Sequence, residues 1–368
     1  MSPRILFVSY TADWTGPTHS LLLLLKHLCY RYDVAVLLPG QGVFLEALGR
    51  EQIPYFSLPT LDKSSILDIT RLIRRERFDL VYGNSHDGSA RNALIAAKLA
   101  GVPFICHIRS MVNGKPWRRS AHLNLADAVI AVSQACANAL RGRILNSNKL
   151  NVVHNGIDFD TLGLVTPIKL GCLRQALKIY GERPVLISIG HLMPRKAQEY
   201  VVQAMAGVIA SGADLDLVLV GSHDRDRNYV EHVKTLIDEL ELGPRVRLTG
   251  FRQDAQVLLS LADIYIHTSL NDPHPRSVLE AMAAGLPVVA FAVDGVAETV
   301  VDGQTGYLLS PGDVPGMAGA IQRLVMNPSL RAEMGKEGRR RVETCFSASL
   351  TAEKVSRIIE AQLMKNYE

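Results

Sequence analysis

Cysteine is scarce, with five in 368 residues, at Cys29, Cys106, Cys136, Cys172 and Cys345. The number is odd, the positions are scattered and no C-x-x-C pair occurs. The expectation is a reducing compartment, no disulfide framework and no zinc site. The leucine run at 21–25 is far too short to span a bilayer. No charged leader, apolar block and cleavage site precede the first strand-like stretch, so no signal peptide is expected and a cytoplasmic location is. The first strand is not followed by G-x-G-x-x-G, which argues against a dinucleotide dehydrogenase. G-x-x-x-x-G-K-[ST] and G-x-S-x-G are missing too, removing P-loop enzymes and the commonest hydrolases. No His/Cys/Asp cluster has ligand spacing, so no metal is required. The D-x-D at Asp224–Asp226 sits in a polar loop and reads as ordinary exposed loop. A basic excess of only +4 without a recognised module excludes nucleic acid as partner.

What is there is a folded, two-domain composition. Apolar residues make up 48% and charged residues 21% of a chain long enough for two domains of about 150 residues. Charge is unevenly spread: residues 1–165 carry 18 Lys/Arg against 12 Asp/Glu, the remainder 22 against 24. Basic clusters stand at 71–77 (RLIRRER) and 115–119 (KPWRR). The first reads as a solvated charged face. The second is balanced between such a face and an anionic partner, such as a phosphorylated acceptor or the inner face of an anionic membrane.

Short β-branched runs alternate with helical stretches throughout. Strands are predicted at 4–9, 34–38, 79–83, 103–108, 128–132 and 151–154, then at 184–190, 215–221, 246–250, 263–268 and 287–291. Helices are predicted at 20–30, 89–100, 196–210 and 229–241. Such alternation implies parallel sheets covered on both faces. The fold class is therefore α/β, with two Rossmann-like domains whose sheets face a central cleft. The predicted boundaries are 1–165, 166–348 and a C-terminal helix at 349–368 that packs back on the first domain, with the seam at 160–183. Ligands in such sheets bind beyond the carboxyl ends of the strands.

One such end is "HPRSVLEAMAAGLPVVAF" at 274–291, where Glu280 stands at the mouth of an apolar run. A helix predicted to start near Ser277 exposes unpaired amides of Ser277, Val278 and Leu279, a ready anion site. Glu280 either closes a capping box with Ser277 or accepts hydrogen bonds from a ribose diol.

The surrounding segment, 271–313, resembles the nucleotide-sugar signature of family-four retaining glycosyltransferases. Segments at 92–109, 126–140, 152–160, 187–205 and 246–269 fit the same family in order. The resemblance implies the two-domain GT-B fold. It implies a retaining, metal-independent transferase without a cofactor, moving sugar from a UDP- or GDP-type donor to a glycan, lipid-linked or small-molecule acceptor. It assigns Glu280 to the ribose, and Asp272, where glutamate is usual, to the donor sugar. Lys196 would grip the donor diphosphate. His191 stands where the family has arginine, and Arg195 is the candidate to compensate. His107 would touch the donor sugar. Phe251 and Arg252 would read the base through their backbone, with the Phe251 ring in the core. In the N-terminal half, Gly16 and Thr18 would contact the acceptor. Asn155 and Gly156 read first as turn residues. Arg109 reads equally as a loop ion pair or a contact to an anionic acceptor. Two other activities fit the same residues: a nucleotide-sugar epimerase, and a non-catalytic binding protein kept open by His191, Asp272 and the altered first loop.

Overall fold

The computed structural model describes residues 2–112, 121–159 and 165–365. The chain divides into two compact units, Met1–Gly156 with Phe346–Glu368, and Ile157–Cys345.

The first unit is built on a parallel sheet of β1 (Arg4–Val8), β2 (Asp33–Pro39), β3 (Tyr55–Leu58), β4 (Leu80–Gly83), β5 (Phe104–Ile108), β6 (Ala128–Ala131) and β7 (Leu150–Val152). Their spatial order is β3-β2-β1-β4-β5-β6-β7. The strands are apolar at successive positions because both faces are covered. In β1, Ile5 and Phe7 enter one core and Leu6 and Val8 the other. The first core is closed by α1 (Gly16–Leu28), α2 (Val43–Arg50) and α14 (Ala348–Met364). The second is closed by α3 (Ile66–Arg75), α4 (Gly88–Ala100) and α5 (Gln134–Leu140). Leu21–Leu25 is thus the buried stretch of α1, with every leucine under 8% exposed.

The second unit repeats the plan. Its sheet comprises β8 (Val185–Ile189), β9 (Asp216–Val220), β10 (Val246–Leu248), β11 (Ile264–His267), β12 (Val288–Phe291) and β13 (Gly306–Leu309), in the order β10-β9-β8-β11-β12-β13. Helices α6 (Pro167–Ala176), α7 (Glu199–Ala210), α8 (Arg227–Glu239), α9 (Ala255–Leu258), α10 (Arg276–Ala283), α11 (Val296–Thr299), α12 (Val314–Met326) and α13 (Pro328–Cys345) connect and follow the strands.

In both sheets the strand order reverses once, between β1 and β4 and between β8 and β11. Loops leaving those neighbouring strands diverge to opposite faces and open a crevice at their carboxyl ends. The crevices decide where the candidate residues matter.

Two boundary readings need correction. The division falls after Gly156, ahead of the expected seam, and the stretch 160–183 contains a helix, α6, of the second unit. Helix α1 starts at Gly16 rather than at residue 20, because Thr15 caps it and Pro17 suits its first turn. The cluster at 115–119 lies outside the described residues. Among the described residues no helix is long and apolar enough to cross a membrane, and no group of three or more His, Cys, Asp or Glu could hold a metal.

Candidate active site

The second unit's crevice is lined by the loops after β8 and β11. The first loop crosses close to the end of β9: a Cβ on Gly221 would lie 2.0 Å from the carbonyl oxygen of Gly190. That approach leaves room for Gly190 and brings Lys196 back over it. Lys196 Nζ donates to Asp272 Oδ2 at 2.6 Å, and both side chains are largely buried. His267 Nε2 lies 3.5 Å from the same oxygen. Burial alone would raise the Asp272 carboxyl, but the Lys196 charge and the His267 hydrogen bond outweigh it and hold the group well below the ordinary aspartate range. His267 is pushed down by burial against the opposing pull of Asp272, so it is neutral at pH 7.

The two loops are tied together. Arg195 Nη1 donates to the Asn271 carbonyl at 2.6 Å, and the Leu270 amide donates to the Arg195 carbonyl at 3.0 Å. The Thr268 hydroxyl donates to the Lys196 carbonyl at 2.8 Å. A third segment clamps the pair: the Asp272 amide donates to Asp294 Oδ2 at 2.9 Å, and the Gly295 amide to the Asp272 carbonyl at 3.2 Å. Asp294 adopts φ +40°, a strained value for a residue with a side chain. A Cβ on Gly295 would meet the Pro273 carbonyl oxygen at 2.0 Å. His191 is half-buried. Burial, then Arg225, Lys196 and Arg195, push it down, so it is a neutral donor or acceptor at pH 7 rather than a cation.

Helix α10 opens on this crevice, with one register correction. It starts at Arg276 with Pro275 in the capping position and no side-chain cap. Ser277 and Val278 therefore keep first-turn amides outside the helical ladder. Leu279 does not: its amide donates to the Pro275 carbonyl at 3.4 Å. The capping box between Ser277 and Glu280 does not form. The buried Tyr265 phenol donates to the Ile189 carbonyl at 3.4 Å. Glu280 Oε1 instead accepts from Arg276 Nη2 at 3.2 Å and Gln256 Nε2 at 3.1 Å. Arg276 and Glu280 form a buried ion pair, with side chains 9% and 10% exposed.

The loop after β10 carries Phe251 and Arg252. The Phe251 ring is not in the core: it is 59% exposed. Gly250 at φ +72° turns the chain outward just before it. The Arg252 guanidinium makes two 2.7 Å bonds to Asp254.

In the first unit, Thr18 is fully buried and spent on the helix start. Its hydroxyl accepts from the Thr15 amide at 2.8 Å, and its own amide donates to the Thr15 hydroxyl at 3.4 Å. It therefore offers no free group to an acceptor. A Cβ on Gly16 would meet no protein atom within 4 Å. His107 has no exposed surface. Tyr82 Oη and His107 Nδ1 share a 2.5 Å hydrogen bond, and Nε2 is sealed without a partner. Burial and the nearby Arg109 charge push its pKa far down. The residue this strand presents beyond its end is Arg109. Its Nε donates to Asn84 Oδ1 at 2.9 Å and its Nη1 to Asn155 Oδ1 at 2.6 Å. Asn84 in turn donates to the Pro17 carbonyl at 3.1 Å. Arg109 lines a cavity of about 500 Å³ at the β1/β4 crevice, with Arg91, His86 and His122.

Sequence reading missed Asn84, Asp294, His267, Gln256 and Arg276. The strand-order rule would have pointed to Asn84 and His267, which stand just past β4 and at the end of β11. Nothing local marked Asp294 or Gln256, whose partners are 22 and 24 residues away in sequence.

Comparison with known proteins converges on one family. Residues 14–161 match the family described as Glycosyltransferase Family 4, and residues 172–341 match Glycosyl transferases group 1. The chain is 23% identical over 88% of both chains to the Escherichia coli UDP-Gal:alpha-D-GlcNAc-diphosphoundecaprenol alpha-1,3-galactosyltransferase. It is 24% identical to the Bacillus anthracis N-acetyl-alpha-D-glucosaminyl L-malate synthase, over 83% of this chain and 80% of that one. Anabaena Alr3699/HepE in complex with UDP-glucose superposes with TM-score 0.87 at 25% identity, covering 97% of this chain and 99% of that one. The sucrose-phosphate synthase of Thermosynechococcus elongatus gives TM-score 0.79 over 99% and 100%. With both halves matched, and the fold with them, the chain belongs to the family-four glycosyltransferases of GT-B architecture.

Proposed function

We propose that this glycosyltransferase moves a sugar from a nucleoside-diphosphate donor, UDP-type in the first instance, to an acceptor hydroxyl with retention of configuration, in glycan or glycolipid biosynthesis. The observation that carries the reading is the buried Lys196–Asp272 pair beside the first-turn amides of Ser277 and Val278. Lys196 and those amides would supply positive charge where a diphosphate leaving group gains negative charge. Anabaena Alr3699/HepE binds UDP-glucose, which supports the donor class. Glu280, held by Arg276 and Gln256, would take the ribose, and the Phe251–Arg252 loop the base. Lys196 would shift part of its charge from Asp272 to the diphosphate, freeing Asp272 to oppose positive charge at the anomeric carbon. The acceptor oxygen forms the new bond to that carbon as the diphosphate oxygen leaves and takes the acceptor proton. The enzyme then contributes positioning and electrostatics, with neither metal nor covalent intermediate.

Thermal shift with a panel of UDP- and GDP-sugars tests the donor site. A hit on the wild type that is lost in Glu280→Gln is the expected result. A donor that stabilises both proteins equally would remove Glu280 from the site. The anomeric coupling in the NMR spectrum of the product reads retention against inversion, and unchanged turnover in EDTA tests metal independence. The named E. coli relative acts on a diphosphoundecaprenol-linked sugar, and peripheral contact with an anionic membrane fits one surface. Leu125 and Leu145 are 61% and 89% exposed beside Arg141 and Arg143, with the Leu145 amide bonded to Asn124. Co-sedimentation with phosphatidylglycerol vesicles that survives Leu145→Glu would reject that surface.

A further inference from the structure

We propose that a second cavity of the first unit, at the amino ends of β6 and β7, binds an anionic sugar, a pyranose that carries a phosphate or a carboxylate. The sheet is parallel, so this cavity lies at the edge opposite the carboxyl ends, where the β1/β4 crevice opens. It is a non-catalytic site, independent of the donor chemistry above.

The cavity is about 410 Å³ and is walled by the residues leading into β6 and β7 and by the last turns of α14. That volume falls in the range of small-molecule sites, roughly 300–1,000 Å³. The most buried polar residue on its wall is Gln362, on α14. Gln362 is 9% exposed, and its carboxamide makes no hydrogen bond among the described residues. The same helix packs Val355, Ile359 and Leu363 into the core. An unbonded amide beside them costs desolvation that a leucine would not, so packing does not account for Gln362. A polar ligand in the cavity would.

The charge on the wall is positive and largely unanswered. Lys149 Nζ donates to the Ala126 and Asn124 carbonyls at 3.0 and 3.4 Å. Both oxygens are neutral, so they aim the ammonium without cancelling it. Lys365 adds a second cation, and neither lysine has a carboxylate partner among the described residues. Arg357 is answered by Glu353. The one carboxylate on the wall, Asp127, is taken by Lys98 at 2.7 and 2.8 Å and by the Phe104 amide at 2.7 Å.

The groups left over specify both halves of the ligand. Asn151 spends its Nδ2 on the Lys149 carbonyl at 3.0 Å, which leaves Oδ1 to accept, and the Gln362 carboxamide has a donor and an acceptor to offer. An inorganic anion satisfies the ammonium groups and leaves these carbonyl oxygens without a hydroxyl. A neutral sugar does the reverse. A sugar with a negative group meets both, and Ile358 and Ala361 give its C–H face an apolar wall.

The test is calorimetric titration of the full chain with glucose 6-phosphate and with glucuronate, with glucose and inorganic phosphate as controls. At least one anionic sugar should bind more tightly than both controls. Tighter binding of glucose 6-phosphate points to a phosphorylated sugar, and of glucuronate to an acidic residue of a glycan. Either supports the site. Lys149→Gln, which keeps a donor for the Ala126 carbonyl, should weaken binding by about 10–100-fold, the loss of one charged hydrogen bond. Gln362→Met should weaken it by about 10-fold and, without ligand, raise the first unit's thermal midpoint by about 2–4 °C, because the unbonded amide is gone. A lowered midpoint would make Gln362 a structural residue and overturn the site. So would glucose or inorganic phosphate binding as tightly as the anionic sugars, or no binding at all. Lys196→Gln should leave the titration unchanged. If it abolishes binding while Lys149→Gln and Gln362→Met bind as the wild type does, the ligand sits in the second unit and the site is refuted.

Discussion

At the scale of single residues, Lys196 and Asp272 act as a pair that neither can leave cheaply. Lys196→Met strands a buried carboxylate, and breaking such a pair costs about 3–5 kcal/mol. It should also lower kcat by about 10²–10³ through the lost leaving-group contact. Chemical denaturation and steady-state kinetics measure the two effects separately. The sign of the pH dependence follows from Asp272 lying below the ordinary aspartate value of 3.8. The stabilisation is complete above that value and is lost as pH falls below it, so the stability gap between wild type and Asp272→Asn should close on acidification below about pH 4. His107 extends the same logic to milder acid. Its folded pKa lies well below 6.5, because burial and Arg109 disfavour the imidazolium. Protonation therefore favours the unfolded chain as soon as pH drops under 6.5. His107→Gln should flatten the stability profile below that point by up to one proton's worth, about 1.4 kcal/mol per pH unit. An unchanged slope in denaturant midpoints from pH 6.5 to 5 would show that His107 is not buried neutral.

At the scale of elements, the site depends on three loops locked by main-chain contact more than on any one helix. Gly295→Ala places a methyl group against the Pro273 carbonyl oxygen, and the 271–274 loop must move to accept it. A displacement of about 1 Å at Asp272 can cost 10²-fold in rate, so this variant should lose kcat while donor affinity, read by thermal shift, falls less. The same elements show what could be read from sequence. Strands β1, β2, β4, β5, β8, β9, β11 and β12 were legible because burial on both faces makes them continuous apolar runs. The edge strands β3 (YFSL) and β13 (GYLL) were not foreseen, since half-exposed, short and mixed segments carry no periodic signal. Family pattern singled out Glu280, Lys196 and Asp272, and the structure brings Lys196 and Asp272 within 2.6 Å. The partners of Glu280 were not legible, because the local S-x-x-E spacing offered a plausible helix cap at Ser277, two residues after the actual cap, Pro275. Phe251 failed for a related reason: an aromatic after a strand reads as core unless the preceding glycine is known to turn outward.

At the scale of the whole molecule, two separately cored units predict unfolding that is not two-state. Calorimetry should resolve two transitions, with a nucleotide donor moving only the one that belongs to the second unit, by about 2.7 kcal/mol at a hundred times its Kd. A single transition shifted as a whole would refute independent cores. The first unit is discontinuous in sequence, and its closure comes late. Helix α14 buries Ala352, Val355, Ile359 and Leu363 in the core that α1 and the first sheet begin. Ile359→Ala should cost about 2–5 kcal/mol in that unit's transition and leave the other in place. During synthesis the first sheet emerges early, yet residues 157–345 must follow before that helix exists. At 5–20 residues per second that is roughly 10–40 s on the ribosome. For that interval the nascent N-terminal half carries an uncovered leucine-rich face, a natural target for chaperones that capture growing chains.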